Sequence, residues 1–126
     1  MIHSTIGSEA YKVKHSNGRH SFFADEPEDK GGKDTAPTPD ELLEAALASC
    51  TVITLRMYTT HKQWNVGAIQ VSVSLVREKE KSIITRELYF ENELSEEQKQ
   101  RLAQVAKACP VSKTLGGINE LLVEVK

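Results

Sequence analysis

The sequence predicts an α+β domain in which antiparallel sheets pack on two long helices. Three observations carry this expectation. An Asn-Gly turn separates two early strand-like runs, two helical stretches have legible starts, and apolar and polar residues alternate cleanly from Ala68 to Arg77. The 126 residues fit one domain, 1–126, long enough to bury a core of ordinary size without staples. Net charge is −2, with signs interspersed, so neither nucleic acid nor a membrane surface is an expected partner. The start, Met1-Ile2-His3-Ser4-Thr5, lacks the charged and apolar regions of a secretory signal, which points to a cytoplasmic location.

Residues 2–14 and 18–24 read as two strands joined at Ser16-Asn17-Gly18, a hairpin signal because Asn and Gly tolerate the positive φ of tight turns. Asp25 to Thr38, with Pro27, Pro37 and Gly31-Gly32, reads as an exposed loop. The stretch Pro37 to Tyr58 reads as the central helix. Thr38 is its N-cap, Pro39 its first residue, and Asp40 and Glu41 place carboxylates on the positive end of the dipole. Thr38 and Glu41 also form a capping box. Leu42, Leu43, Ala46, Leu47, Ile53, Leu55 and Met57 point in most directions, so the helix is expected to be buried nearly all round. Ser49, Thr51, Thr54 and Arg56 interrupt it too often for a membrane span.

Thr59 to Gly67 turns the chain, with Trp64 as apolar anchor. In Ala68–Arg77, Ile69, Val71, Val73 and Leu75 share one face, the mark of a half-buried strand. Glu78–Lys81 is a solvated turn, and Ser82–Glu91 returns as the partner strand. Ser95 and Gln98 form a capping box that opens a helix to about Ala108, with Leu102, Val105 and Ala106 inward. Cys109-Pro110 breaks it, since the residue before proline disfavours helical backbone. A short helix Pro110–Leu115, stopped by Gly116-Gly117, and a last strand Leu121–Val125 complete the order ββ-α-ββ-α-β. An apolar central helix is hard to cover in so small a domain, so a homodimer that buries it between subunits is expected.

Two residues stand out as candidates for chemistry. Cys109 precedes Pro110 and can cap the short helix, where backbone N–H groups and the dipole favour a thiolate, with Lys113 one turn on. It can equally be a small hydrophobe at a helix stop. Cys50 lies mid-helix, and Arg56, six positions on, faces about 120° away from it. Cys50 reads either as core or as one half of a peroxidatic and resolving pair. Arg19 is either a solvated hairpin charge or a guanidinium that stabilises a thiolate. Asp40 and Glu41 are first-turn stabilisers, and either could orient Arg19. His3, His15, His20 and His61 read as surface residues without metal-ligand spacing. Two cysteines with no Cys-x-x-Cys form neither a disulfide framework nor a zinc ribbon, so no metal or other cofactor is expected.

The residues resemble the OsmC/Ohr family of small thiol-dependent peroxidases. The likeness is carried by Ala24-Asp25-Glu26-Pro27 with Gly31-Gly32, by Pro37-Thr38-Pro39-Asp40-Glu41-Leu42-Leu43-Glu44-Ala45-Ala46-Leu47-Ala48-Ser49-Cys50-Thr51, and by Cys109-Pro110-Val111-Ser112-Lys113-Thr114-Leu115. It runs in order over nearly the whole chain. The resemblance implies an intertwined homodimer with two active sites at the subunit interface. It also implies reduction of organic hydroperoxides, and in some members hydrogen peroxide, in defence against oxidative or osmotic stress. By position Cys50 matches the peroxidatic cysteine and Cys109 the resolving one, and a dithiol such as a lipoylated protein would restore the pair. Arg19 corresponds approximately to the family's arginine, followed here by a loop of different length. Where better-characterised members carry glutamate after the proline, this chain has Asp40, one methylene shorter, and then Glu41. The competing expectation is a non-catalytic dimer that binds a small apolar or electrophilic ligand at the interface.

Overall fold

The start of the chain folds into two hairpins rather than one. Gly7-Ser8-Glu9-Ala10 has no β-branched or aromatic residue to sustain a strand, and the expected strand over 2–14 turns back there. It becomes β1 (His3–Ile6) and β2 (Val13–Ser16), paired antiparallel with His3 opposite Ser16. The Asn17-Gly18 turn then leads to β3 (Ser21–Ala24), which pairs with β2. Asn17 Oδ1 accepts from the backbone N–H groups of Arg19 and His20, and Gly18 takes φ 90°. The computed structural model describes residues 1–126, whose contacts divide them into two compact units, Met1–Glu44 and Ala45–Lys126.

In the first unit the sheet order is β1-β2-β3. His15 is half-buried rather than at the surface, stacked on Phe22 with ring centroids 4.8 Å apart. The loop after β3 is held by Asp25, which is 2 % exposed. Its carboxylate accepts from Thr35 Oγ1 at 2.7 Å and from the N–H groups of Thr35 at 3.1 Å and Glu26 at 2.8 Å. Gly32 is required there: a Cβ on it would lie 1.9 Å from the Glu26 carbonyl oxygen. A short 3-10 turn, Glu28–Lys30, sits within the same loop.

Helix α1 runs Pro39–His61, ending three residues beyond Tyr58, where the expected stretch stopped. Thr38 caps it as expected: its hydroxyl accepts from the N–H of Glu41 and donates to the Glu41 carboxylate. Burial departs from expectation. Leu47, Thr51, Leu55 and Thr59 form one buried stripe at four-residue spacing, whereas Ile53 and Met57 are 52 % and 68 % exposed. Such a stripe is one helix face, and a single chain covers only that face.

In the second unit, β4 (Ile69–Arg77) and β5 (Ser82–Phe90) form the expected hairpin, paired from Ile69 opposite Phe90 to Arg77 opposite Ser82. Ile69, Val71, Val73 and Leu75 are half-buried in alternation with exposed neighbours. Helix α2 (Glu96–Lys107) starts at Ser95 with both arms of its capping box made. The core joins Leu55 of α1 to Leu102 and Ala106 of α2, with Tyr58, Trp64, Leu88 and Phe90 against it. Helix α3 (Pro110–Gly116) follows directly. The expected strand Leu121–Val125 does not form, and these residues are almost fully exposed. A strand needs a ladder partner, and the second unit's sheet contains only β4 and β5. No helix is long and apolar enough to cross a membrane.

The Asp25 cluster has a pH signature. Hydrogen bonds, Thr35 foremost, outweigh burial and lower its carboxyl from 3.8 to about 2. A depressed folded-state value makes the stabilisation complete above 3.8 and removes it as pH falls towards about 2. Denaturant unfolding at stepped pH should therefore show wild type ahead of Asp25→Asn at neutral pH, with the gap closing through that acid window. A gap that stays constant through the window contradicts this account.

Candidate active site

The two cysteines meet where α1, the α2–α3 junction and β5 come together. Thr51 belongs to the buried stripe of α1, and Cys50, about 100° around the helix from it, is half-buried. Cys109 is fully buried. The residue before a proline takes extended backbone, and Cys109 does so at φ −63°, ψ 143° as N-cap of α3. Its Sγ accepts from the N–H of Ser112 at 3.4 Å, and the Cys50 side chain lies close enough to act on it. Thr51 Oγ1 lies 3.9 Å from the same sulfur.

A third residue completes the cluster. Arg86 of β5 donates through Nη1 to Thr51 Oγ1 at 3.0 Å and to the Ala106 carbonyl at 2.9 Å, and the same nitrogen lies 3.9 Å from Cys109 Sγ. Nη2 donates to Ser112 Oγ at 3.0 Å. Burial by itself pushes the Cys109 thiol up. The Ser112 N–H, the Cys50 thiol, the Thr51 hydroxyl and the Arg86 charge outweigh it and hold the thiol below its ordinary range. Arg86 also lines two cavities. One, of about 220 Å³, includes Leu47, Ile84, Ser112 and Leu115, and the other, of about 570 Å³, includes Leu88, Phe90, Leu94 and Leu102.

The structure thus brings together Cys50 and Cys109 of the expected site. Arg19 lies in the turn between β2 and β3 with its side chain exposed. Asp40 and Glu41 lie in the first turn of α1, where Glu41 is engaged by Thr38. The cation acting on Cys109 is Arg86 and not Lys113, which is exposed. Sequence reasoning missed Arg86, Thr51 and Ser112 as site residues. The signal for Arg86 was present: period-two alternation puts it in phase with Ile84, Leu88 and Phe90, on the apolar face of its strand.

Residues 31–123 match the family described as OsmC-like protein. The fold resembles that of an OsmC-like protein from Mycoplasma pneumoniae, with a TM-score of 0.73 and 19 % identity over 94 % of this chain and 87 % of that one. An organic hydroperoxide resistance protein OsmC from Legionella pneumophila gives 0.69 and 20 % identity over 93 % and 88 %. The organic hydroperoxide resistance protein OhrB of Bacillus subtilis gives 0.66 and 23 % identity over 93 % and 90 %. At such identities the likeness is one of fold. No curated protein matches.

The lowered Cys109 thiol makes stability depend on pH at the alkaline end. Its folded-state value lies below the ordinary 9.0, so the unfolded chain binds more protons between the two. Stability of the reduced protein should rise with pH through that window and level off above 9.0, and Cys109→Ser should remove the rise. Denaturation midpoints across neutral to alkaline pH decide it, and identical profiles for the two proteins refute it.

Proposed function

Since this chain belongs to the OsmC-like protein family, we propose that it is a thiol-dependent peroxidase for organic hydroperoxides. The observation that carries this reading is a half-buried Cys50 beside a fully buried Cys109 whose thiol is held below its ordinary range. Accessibility supports the division of roles that the family resemblance implies. A hydroperoxide can reach Cys50 first, whereas Cys109 is shielded, so Cys50 is peroxidatic and Cys109 resolving.

Cys50, once its proton has passed to the adjacent Cys109 thiolate, attacks the terminal peroxide oxygen as a thiolate. The O–O bond breaks, the sulfur becomes a sulfenic acid, and the departing alkoxide takes up the proton that Cys50 gave up. The Cys109 thiolate then attacks the Cys50 sulfur, forms the disulfide and expels hydroxide. An external dithiol, with a lipoylated protein as one source, returns both cysteines to the reduced state by exchange. The family resemblance is our ground for proposing Arg19 as a thiolate-stabilising group, with Asp40 or Glu41 as its orienting carboxylate. Hydrogen peroxide is a secondary substrate under this reading.

The working form under this proposal is a homodimer. The exposed Ile53 and Met57 of α1, together with the apolar, exposed Leu121, Leu122, Val123 and Val125, call for a covering surface, and a second copy supplies one. Sedimentation at micromolar protein should show dimer and no monomer. A monodisperse monomer would rule out a site shared between subunits.

Exposure of Arg19 favours the second reading, a dimer that binds a small apolar or electrophilic ligand without turnover. Intact mass under denaturing conditions, after one equivalent of alkyl hydroperoxide, separates the two. Under the peroxidase reading wild type loses two hydrogens, Cys109→Ser gains one oxygen, and Cys50→Ser is unchanged. Unchanged mass in all three proteins sinks the peroxidase and leaves the binding protein.

A further inference from the structure

We propose that Arg86 is a positioning residue for Cys109: held by one acceptor each from α1, α2 and α3, its guanidinium keeps the Cys109 sulfur as the thiolate that closes the disulfide with Cys50. The inference deepens the peroxidase reading and rests on it for the oxidative half of the cycle.

The placement of Arg86 needs explaining. It faces inward on a strand whose other inward residues are Ile84, Leu88 and Phe90, opposite Val73 of β4. A guanidinium on an apolar face carries a desolvation cost that good hydrogen bonding must offset. Here the offsetting acceptors are Thr51 Oγ1, the Ala106 carbonyl and Ser112 Oγ, three neutral oxygens at 2.9–3.0 Å. They fix the fork without cancelling its charge. The remaining neighbour of Nη1 is Cys109 Sγ at 3.9 Å, and a thiolate there supplies the counter-charge. A planar fork with several donors can hold three oxygens and still face a sulfur, which a lysine ammonium does less well.

The chemistry gains at two steps. In closure, the Cys109 thiolate attacks the sulfenic sulfur of Cys50: the S–S bond forms, the S–O bond breaks, and hydroxide leaves to become water. In recycling, an external dithiol attacks the Cys50 sulfur and Cys109 departs as a thiolate, faster when the leaving thiol is more acidic. Arg86 favours the charged form of the same sulfur in both directions.

The test uses ultraviolet thiolate absorbance of Cys109 in a Cys50→Ser background, with Arg86 intact, Arg86→Lys and Arg86→Met. The thiolate transition should move to higher pH in Arg86→Met, with Arg86→Lys between it and wild type. In the two-cysteine protein, oxidised to the disulfide with diamide, reduction by dithiothreitol should be about threefold slower at neutral pH in Arg86→Met, the factor when about half of a one-unit change in leaving-thiol pKa is expressed in the rate. After alkyl hydroperoxide, the Cys50 sulfenic acid should persist long enough for capture by dimedone in that variant. The closure deficit should shrink as pH rises into the ordinary thiol range, which a purely structural role of Arg86 would not produce. An unmoved titration, or a deficit independent of pH, overturns the inference, and Arg86→Lys alone decides it if Arg86→Met does not fold. Failure of the peroxidase reading shows separately, as wild type that does not react with hydroperoxide, and the titration and the dithiothreitol arm still decide the role of Arg86.

Discussion

The hydrogen bonds of Arg86 set the geometry on which the site depends. One guanidinium reaches a hydroxyl of α1, a carbonyl near the end of α2 and a hydroxyl of α3, so β5 ties the helix that carries Cys50 to the junction that carries Cys109. Disulfide formation tolerates little error, because Cα separations and the torsion about the S–S bond fall in narrow ranges. Apolar contact alone, here Leu55 on Leu102 and Ala106, is non-directional and fixes a helix pair less closely than a set of directed bonds. The charged cluster costs desolvation, and its return is register between the two sulfurs.

The same comparison shows why parts of the chain were legible in sequence and others were not. Caps and turns are local chemistry. Ser95 with Gln98, Thr38 with Glu41, and Asn17 with Gly18 each act through groups within three residues, and each appears where the sequence placed it. Cys109 as N-cap is legible for the same reason, since Pro110 dictates its backbone. Arg86 acts through residues 20 to 35 positions away, and those partners are set by packing. Only the strand's alternation hinted at it, as a charge in an apolar phase. The break between β1 and β2 was hidden because apolar residues lie on both sides of Gly7–Ala10, and the weakness of the interior had to outweigh them. Leu121–Val125 has strand-like composition, but composition supplies no ladder partner.

The helix α1 illustrates a limit of reading apolar periodicity. Its residues are apolar on most sides, but that pattern does not say what covers each side, and the chain itself fully buries one stripe only. Within the chain, α2 and the β4–β5 hairpin contribute the residues that pack with Leu55. Ile53 and Met57 keep their exposure, so the sequence encodes more apolar helix surface than one chain covers.

The two thiols are unequal in a way that suits sequential chemistry. Access and ionisation are usually demanded of one cysteine, and they conflict, because the burial that shields a thiolate's partners from water also blocks the substrate. Here they are divided. Cys50 has the access, while Cys109 has the N–H, hydroxyl and guanidinium that favour negative charge. Under the proposed cycle, Cys109 can take up the proton that Cys50 must lose before it attacks the peroxide. In that proposed cycle the proton leaves with the alcohol, and Cys109 is left as a thiolate beside the sulfur it attacks. Charge then exits as hydroxide, and the guanidinium of Arg86 is left facing a neutral disulfide. Under the role proposed for Arg86, oxidation would remove the counter-charge to its guanidinium and so would favour return of the thiolate.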